Sequence, residues 1–315
     1  MGRKERAAEQ REKRQQEITR VRSIPYSEQE KWWSPETVAV VTGSNRGIGY
    51  EIARQLALQG LTVILTSRDL DKVNEAANSL HQQHPFLFIV PHQLDISDPD
   101  SVHHFAHWLH RVYGGLDILV NNAGVNFNLG SDNSVEFAET VIKTNYYGTK
   151  RMMKAMTPLM KPSACGSRIV NVSSRLGRMN GRRNRLGDTT LREKLTDDDN
   201  LTEELIDSVM TSFLEEVKRG NETSDKWPQM FTDYSLSKLA VNAYTRLTAK
   251  ALIDQPDGHK IYLNCYCPGW VKTAMTGWMG NISAEEGADT GVWLALHPSQ
   301  SVTGKFFAER REINF

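Results

Sequence analysis

The 315-residue chain has no net charge, because 38 Lys and Arg residues balance 38 Asp and Glu residues. It therefore has no overall positive field to hold nucleic acid or an anionic membrane surface non-specifically. Long hydrophobic runs are also missing: the longest, such as 86–90 and 292–296, fall far short of the roughly 18 residues that a membrane span needs. We expect no nucleic-acid partner and no membrane span.

Cysteine is scarce, with only Cys165, Cys265 and Cys267 in the chain. A small odd number cannot form a disulfide framework, and one Cys-x-Cys pair without histidine neighbours is a poor metal site. The N-terminus has no apolar segment typical of a secretory signal, and its glutamates argue against an organellar transit peptide. We expect a reducing compartment, the cytoplasm by default, and no metal.

Residues 1–35 are expected to form a charged arm and linker ahead of a single domain over 36–315. Within 1–22, eight basic and four acidic residues leave a charge of +4, and only Ile18 and Val21 are large and apolar. A helix of this composition has no apolar stripe to bury, so we expect a frayed or solvated helical arm. A weak electrostatic contact with an acidic surface is the alternative.

From residue 37 onwards, short apolar segments alternate with stretches of helical spacing. Seven segments are typical of strands: 37–41, 61–66, 86–90, 117–120, 168–172, 261–266 and 304–307. Continuous β-branched runs are characteristic of strands buried on both faces, and alternation with helices predicts a parallel sheet covered on both sides. We expect an α/β fold with a doubly wound, mostly parallel, seven-stranded sheet.

Residues 175–230 interrupt this alternation, because they are polar and rich in Arg, Asp and Glu. Within them, one stripe of apolar residues recurs every four positions: Leu201, Leu205, Val209, Phe213 and Val217. Asn200 followed by Glu203 resembles a capping box, and Gly220 supplies a stop. Since one stripe cannot enclose a separate core, we expect an insertion that contains an amphipathic helix over about 201–218.

A glycine-rich loop, Thr42–Gly49, follows the first predicted strand and precedes the first predicted helix. Its G-x-x-x-G-x-G spacing differs from the G-x-G-x-x-G of ordinary dinucleotide dehydrogenases. Glycines at this place let a pyrophosphate approach the backbone N–H groups and the helix N-terminus. The loop therefore predicts a dinucleotide site.

Two arginines bear on the choice of dinucleotide. Arg68 ends the second predicted strand, where an acidic residue would accept hydrogen bonds from the ribose 2′-OH of NAD and a guanidinium would pair with the 2′-phosphate of NADP. Arg46, inside the glycine loop, can approach the same phosphate. Arg68 alone could be an ordinary surface arginine, but the two together predict NADP(H).

Tyr234 and Lys238 are four residues apart and therefore share one helical face. A phenol with a pKa near 10 is a poor acid or base at neutral pH, and a nearby ammonium lowers that pKa towards the working range. Alone, such a pair is common by chance and usually lies on a surface. Its meaning depends on the other motifs.

Five motifs in order make the chain similar to the short-chain dehydrogenase/reductase superfamily, and within it to plant carbonyl reductases related to salutaridine and menthone reductases. They are Thr42–Gly49, Asn121–Gly124, Asn171–Ser174, Tyr234–Lys238 and Pro268–Thr273. The resemblance covers about residues 36–308. It implies a Rossmann sheet and hydride transfer from NADPH to a ketone or aldehyde, giving an alcohol.

The resemblance also implies roles for four catalytic residues. Tyr234 would be the general acid that protonates the carbonyl oxygen, and Ser174 would hydrogen-bond that oxygen. Lys238 would hold the nicotinamide ribose and lower the tyrosine pKa, and Asn145 would position a proton-relay water. Strand alternation indicates that only one of Ser173 and Ser174 faces the cleft, and the family pattern selects the second.

The remaining roles that the resemblance implies concern the cofactor. Asp95, next to Leu94, would contact adenine, Asn122 would lie along the adenosine, and Val271 and Thr273 would contact the nicotinamide amide. The full cofactor-binding set is Gly43, Asn45, Arg46, Gly47, Ile48, Gly49, Arg68, Leu94, Asp95, Asn122, Tyr234, Lys238, Val271 and Thr273. For Asn145 and Asp95, capping of helices or turns is the alternative.

The 59 residues between Ser174 and Tyr234 (233 − 174) exceed the short gap of most family members. In the family, the helix that carries Tyr-x-x-x-Lys is often an oligomer interface, so an extra segment before it predicts a monomer, as in the monomeric carbonyl reductases. The expected partner is a small carbonyl compound. It would be hydrophobic if Phe127, Phe137, Trp270 and Trp278 line the cleft, although core or surface packing explains them equally well.

Two other functions remain as alternatives. An NADP(H)-binding sensor or scaffold without turnover is disfavoured because all four catalytic positions hold the required residue types. An epimerase or dehydratase of the extended branch is disfavoured by the glycine spacing and by the 42 residues after Thr273 (315 − 273), too few for a sizeable substrate domain.

Overall fold

The computed structural model describes residues 3–24, 26–127, 134–181, 184–220, 225–297 and 302–315. The expected arm and the expected insertion are thus described except at 1–2 and 25, and at 182–183 and 221–224, which lie outside these ranges. The strands are β1 (Val38–Val41), β2 (Thr62–Ser67), β3 (Ile89–Gln93), β4 (Ile118–Asn121), β5 (Ser167–Val172), β6 (Ile261–Tyr266), β7 (Phe306–Ala308) and β8 (Arg311–Ile313).

The α-helices of these ranges are α1 (Arg3–Arg22), α2 (Gly47–Leu58), α3 (Leu70–Gln83), α4 (Pro99–Tyr113), α5 (Val135–Ile142), α6 (Thr149–Met156), α7 (Thr189–Thr196), α8 (Glu203–Lys218), α9 (Thr232–Leu252) and α10 (Ala284–Leu296). One turn of π-helix, Lys143–Gly148, joins α5 to α6. Within the described ranges, none of the helices has the length and apolar character needed to cross a membrane.

The described strands form one sheet in the order β3-β2-β1-β4-β5-β6-β7-β8, parallel throughout except for the β7–β8 pair. Alternate residues of the central strands point to opposite faces and enter two cores. Val40 and Leu119 pack on one side with α4, α6 and α9, and Val41 and Val120 pack on the other with α2, α3 and α10. The expected doubly wound α/β sheet is confirmed.

The count of seven strands is wrong, because β8 adds an eighth. It is three residues long and mostly exposed, so its sequence carries no alternating pattern that would reveal it. Glu309 and Arg310 join β7 to β8 with φ values of 57° and 55°. Two consecutive left-handed residues make a type I′ hairpin turn, which glycine and asparagine usually occupy.

The third strand begins later than expected, at Ile89 rather than residue 86. Phe86 and Phe88 are 70% and 52% exposed, so the apolar run at 86–90 is only partly a buried strand. Its hydrophobicity alone could not distinguish strand residues from an exposed loop.

Within the segment 175–230, α8 packs against α5 and α9. Its buried face consists of Ile206, Val209, Met210, Phe213 and Val217. The expected capping box at Asn200 is wrong: the Thr202 hydroxyl accepts the Leu205 N–H at 3.1 Å, whereas the Asn200 amide donates to Asp197. Thr202 is therefore the N-cap residue, and α8 begins at Glu203.

The N-terminal helix α1 is largely exposed, but it also contacts the main fold. Ile18 is 6% exposed, and the ion pairs of α1 reach the β7–β8 turn and the first turns of α10. Arg22 contacts Glu286 and Asp289, each at 3.3 Å. The electrostatic alternative describes this helix better, because charge pairing substitutes for the missing apolar stripe.

Candidate functional site

The carboxyl ends of six parallel strands converge on one edge of the sheet, where a doubly wound fold binds ligands. Each expected site residue that follows a strand lies there. The glycine loop follows β1, Arg68 follows β2, Leu94 and Asp95 follow β3, Asn122 follows β4, Ser174 follows β5, and Val271 and Thr273 follow β6. The helix α9 brings Tyr234 and Lys238 to the same edge, as its packing against β6 and the Ser174 turn shows.

The glycine loop packs closely against the end of β4. A Cβ on Gly49 would lie 2.3 Å from Asn122 Nδ2 and 2.6 Å from the Gly43 carbonyl oxygen, so no larger residue fits. The Asn122 amide donates to the carbonyl oxygens of Thr42 and Gly43 at 2.9 and 3.0 Å. The Asn122 side chain thus holds the glycine loop, and its expected position along the adenosine stays a prediction.

The loop after β6 meets the glycine loop from the other side. A Cβ on Gly47 would lie 3.4 Å from Thr273 Cγ2. Val271 is buried, and its carbonyl oxygen accepts the Thr276 hydroxyl at 2.6 Å, which fixes the short turn that begins at Ala274. The two loops therefore lie against each other at this edge of the sheet.

Arg46 and Arg68 are both exposed at this edge. Among the residues that the structure describes, neither guanidinium has an acidic partner. Two uncompensated guanidinium groups on adjacent strand ends suit a phosphate dianion.

Leu94 and Asp95 are fixed within the protein. Leu94 is buried and donates its N–H to the Ser67 carbonyl oxygen at 2.8 Å. The Asp95 carboxylate accepts the N–H and hydroxyl of Ser97 at 2.8 and 2.7 Å, which is the turn-capping role given above as the alternative. Both of these bonds go to the same carboxylate oxygen of Asp95.

Ser173 and Ser174 have different surroundings. Ser173 is 1% exposed, and its hydroxyl donates to Asn242 Oδ1 at 2.6 Å inside the fold. Ser174 is half-buried, and its hydroxyl oxygen accepts the Leu176 N–H at 3.1 Å. A Cβ on Gly177 would lie 2.4 Å from the Lys238 carbonyl carbon, so the turn after Ser174 packs directly on the backbone of α9.

Tyr234 lies in the first turn of α9, which Phe231 begins in a left-handed conformation with φ of 48°. Burial raises the pKa of Tyr234 and the Cys267 thiol adds to that effect, while the hydrogen bond with Ser174 lowers it in part. Desolvation of the phenolate is the largest effect on this pKa, and the lowering expected from Lys238 stays a prediction.

Lys238 is also buried, and burial lowers its pKa to about 8. Its Nζ atom lies 5.6 Å from the centre of the Tyr234 ring and donates to the Val172 carbonyl oxygen at 2.9 Å. A buried ammonium with one backbone partner has donors left for a ribose hydroxyl.

Asn145 is fully buried in the π-helix. Its Oδ1 accepts the Val125 N–H at 2.8 Å, and its Nδ2 donates to the Val125 carbonyl oxygen and the Ser237 hydroxyl at 2.9 and 3.0 Å. The Ser237 hydroxyl in turn donates to the Tyr234 carbonyl oxygen at 2.7 Å. Asn145 thus joins the strand end after β4 to the helix that carries Tyr234, instead of capping a helix.

Sequence reasoning missed several residues that support the site. The Thr42 hydroxyl oxygen accepts the N–H groups of Asn122 and Ala123, each at 3.0 Å. Ser237 connects Asn145 to Tyr234, and Asn242 fixes Ser173. Thr42 and Ser237 lie inside the motifs Thr42–Gly49 and Tyr234–Lys238, which is a usable sequence signal. Asn242 lies outside the five motifs, so the sequence gives no comparable signal for it.

The chain is similar to known proteins over most of its length. The family model described as short chain dehydrogenase matches residues 37–185. The (+)-neomenthol dehydrogenase of Arabidopsis thaliana is 39% identical over 300 residues, which cover 88% of this chain and 97% of that protein. Carbonyl reductase (NADPH) 1 of Bos taurus is 38% identical, with 90% and 99% covered.

A solved structure has a similar fold. Salutaridine reductase from Papaver somniferum is 36% identical and superposes with a TM-score of 0.77, covering 86% of this chain and 99% of that one.

Proposed function

Because the chain belongs to the short-chain dehydrogenase/reductase family, we propose that it is an NADPH-dependent carbonyl reductase that converts a ketone or aldehyde into an alcohol. The observation that carries the proposal is that the turn after Ser174 packs on the backbone of Lys238, whose ammonium group lies 5.6 Å from the Tyr234 ring centre. Proteins named carbonyl reductase (NADPH), neomenthol dehydrogenase and salutaridine reductase resemble the chain over nearly all of their own lengths, which supports this reaction class.

The residues of the cleft fit NADPH. The glycine loop, with Asn45 and Ile48 in it, would hold the pyrophosphate, and Arg46 and Arg68 would pair with the 2′-phosphate. Asp95 would face the adenine, and Val271, Thr273 and Lys238 would hold the nicotinamide end. When bound, NADPH supplies the hydride that reduces the carbonyl carbon.

Tyr234 provides the proton. Its raised pKa keeps the phenol protonated at neutral pH, as reduction requires, and its hydroxyl donates to the carbonyl oxygen. Ser174 donates a second hydrogen bond to that oxygen. The phenolate left on Tyr234 is stabilised by the Lys238 ammonium group and by the N-terminal turn of α9.

A hydrophobic substrate is part of the proposal. Four large side chains on the loops around the cleft are at least two-fifths exposed: Phe127, Trp270, Trp278 and Met279. Trp278 has a left-handed backbone, with φ of 64°. Phe127 also stacks on Phe137 with ring centroids 4.7 Å apart, so those two rings would form one wall of the opening.

The proposal extends to the organisation of the chain: an N-terminal arm and linker over 1–35 and one catalytic domain over 36–315 that acts as a cytoplasmic monomer. Packing of α8 against α5 and α9 supports the monomer, because it covers that helical face. Size-exclusion chromatography with light scattering at several concentrations tests the monomer directly.

The reaction is tested by NADPH oxidation over quinones, cyclic diketones, monoterpenoid ketones and aldehydes, with NADH in parallel. We expect turnover with NADPH that is lost in Tyr234→Phe, which keeps the ring and removes only the proton donor. Tight NADPH binding without turnover of any carbonyl would overturn the reductase and favour a sensor. A preference for NADH would overturn the roles of Arg46 and Arg68.

A further inference from the structure

The helix α8 is attached to the π-helix region by two carboxylates on one of its faces. Asp207 accepts the Tyr146 hydroxyl at 2.7 Å and forms an ion pair with Lys150 at 2.6 Å. Glu203, one turn earlier, pairs with the same Lys150 ammonium group at 2.8 Å and accepts the Tyr244 hydroxyl at 3.4 Å. These two acidic residues of α8 thus contact three elements of the main fold: the π-helix, α6 and α9.

Lys150 depends on these two carboxylates. It is 8% exposed, and its Nζ atom lies between 5.6 and 5.7 Å from the ring centres of Tyr146, Tyr147 and Tyr244. Burial alone would lower the pKa of Lys150, but the hydrogen bonds to Asp207 and Glu203 raise it overall. Removing one carboxylate would leave a buried charge only partly compensated.

Tyr146 connects this cluster to the candidate site. It is fully buried in the π-helix and directly follows Asn145 in the chain. Single π-helical turns inside longer helices are rare, and they often occur at functional sites. The Asp207–Tyr146 hydrogen bond therefore constrains the turn that orients the Asn145 amide towards Val125 and Ser237.

We propose that Asp207, supported by Glu203, is a positioning residue for the reduction site, acting through Tyr146 and the π-helix on Asn145. The segment before the Tyr-x-x-x-Lys helix then has a role besides covering a surface: it fixes the geometry at the end of β4 and along α9. The catalytic consequence rests on the proposed function, whereas the structural link does not.

The experiment compares Asp207→Ala with Tyr146→Phe, which removes only the hydroxyl group, and with their double variant. Glu204→Gln is the matched control, since it removes one negative charge from the same helix at an exposed residue that has no charged partner among the described residues. Two properties are measured: kcat and the NADPH Kd of the folded protein, and amide hydrogen exchange of the peptide that contains Val125.

We expect kcat to fall roughly tenfold in both single variants and little further in the double variant, because residues of one linked unit are not additive. The NADPH Kd should change less than about twofold, since the glycine loop is untouched. Exchange at Val125, whose N–H is bound by Asn145 Oδ1, should accelerate, and the glycine-loop peptide should not change. Glu204→Gln should behave as the wild type.

A lower Tm with unchanged kcat per folded molecule and unchanged exchange at Val125 would overturn the proposal, leaving Asp207 a structural contact only. If Asp207→Ala does not fold, Tyr146→Phe carries the same test with its ring packing intact. If the wild-type protein reduces no carbonyl, the proposed function fails separately, and the exchange measurement still decides the link between Asp207 and Asn145.

Discussion

The Lys238 ammonium group lies 5.6 Å from the centre of the Tyr234 ring, and the pKa values of the two side chains are shifted in opposite directions. Burial raises the pKa of Tyr234 and lowers the pKa of Lys238 to about 8. Tyr234 therefore keeps its proton over the neutral range, as a proton donor must, and Lys238 is the first of the pair to change its charge as the pH rises.

This order predicts that Lys238, not Tyr234, limits the reaction on the alkaline side. As the pH rises through about 8, the free protein loses the Lys238 charge that would hold the ribose and stabilise the phenolate. We expect kcat/KM for NADPH, which reports groups of the free enzyme, to decline above that pH. Lys238→Arg, whose guanidinium stays charged, should move the decline to higher pH at whatever rate remains. An identical decline in both proteins would contradict the assignment to Lys238.

Ser173 and Ser174 should respond differently to the same substitution. Ser174→Ala removes a donor to the carbonyl oxygen, so we expect kcat to fall roughly 100-fold with little change in Tm. Ser173→Ala leaves buried Asn242 without its 2.6 Å donor, so it should cost about 1–3 kcal/mol of stability. Thermal unfolding and kcat of the two variants provide the comparison, each serving as the control for the other. Equal losses of kcat in the two variants would contradict the assignment of Ser174, rather than Ser173, as the donor to the carbonyl oxygen.

Arg46 and Arg68 should determine the cofactor preference. Arg46→Ser and Arg68→Ser each remove a charged partner of the 2′-phosphate, a contact of about 1.5–3 kcal/mol, so the NADPH Kd should rise roughly 10- to 100-fold. The NADH Kd should stay nearly constant, because NADH lacks that phosphate. Arg111→Ser removes an equal charge from an exposed position on α4 and should change neither value. Equal losses for the two cofactors would mean that the arginines contact the shared part of the dinucleotide.

The sheet edge could be predicted from the sequence because its motifs directly follow strands. Parallel strands bring their carboxyl ends together, so recognising the strands is enough to predict that Gly43, Asn122 and Ser174 lie at one edge of the sheet. What those side chains do there was less predictable. The motif does not reveal that the Asn122 amide donates to the backbone of the glycine loop, a contact between residues 80 positions apart.

Other features that the sequence did not predict are contacts that leave no periodic signal. The docking of α1 depends on charges that pair across nearly the whole chain, such as Arg14 with Glu309, 295 positions apart. Asp207 likewise looks like any exposed acid on an amphipathic helix until Tyr146 and Lys150 are seen beside it. Hydrophobic spacing identifies which face of an element is buried, but it does not identify the partner of a charge.

The attachment of α1 predicts a sharp difference between two neighbouring arginines of the β7–β8 hairpin. Arg310 has a left-handed backbone, forms a bidentate pair with Asp289 whose members are each 12% exposed, and donates to the Val21 carbonyl oxygen of α1 at 3.0 Å. Arg311 pairs with Glu17 of α1 at 2.6 Å, but both side chains are largely exposed. Partly buried bidentate pairs stabilise a fold more than exposed pairs, which contribute at most about 1 kcal/mol.

We therefore expect Arg310→Ala to lower the free energy of unfolding by about 2 kcal/mol and Arg311→Ala by less than 1 kcal/mol, as measured by denaturant unfolding. Arg310→Ala should also make α1 more accessible, so trypsin should remove the N-terminal helix faster than it does from the wild type or from Arg311→Ala. High salt should erase the small effect of Arg311→Ala and preserve most of that of Arg310→Ala, because screening acts mainly on exposed charges. Equal destabilisation by the two substitutions, or cleavage of α1 at the wild-type rate in Arg310→Ala, would mean that Ile18 and the other contacts of α1 hold the helix without the arginine.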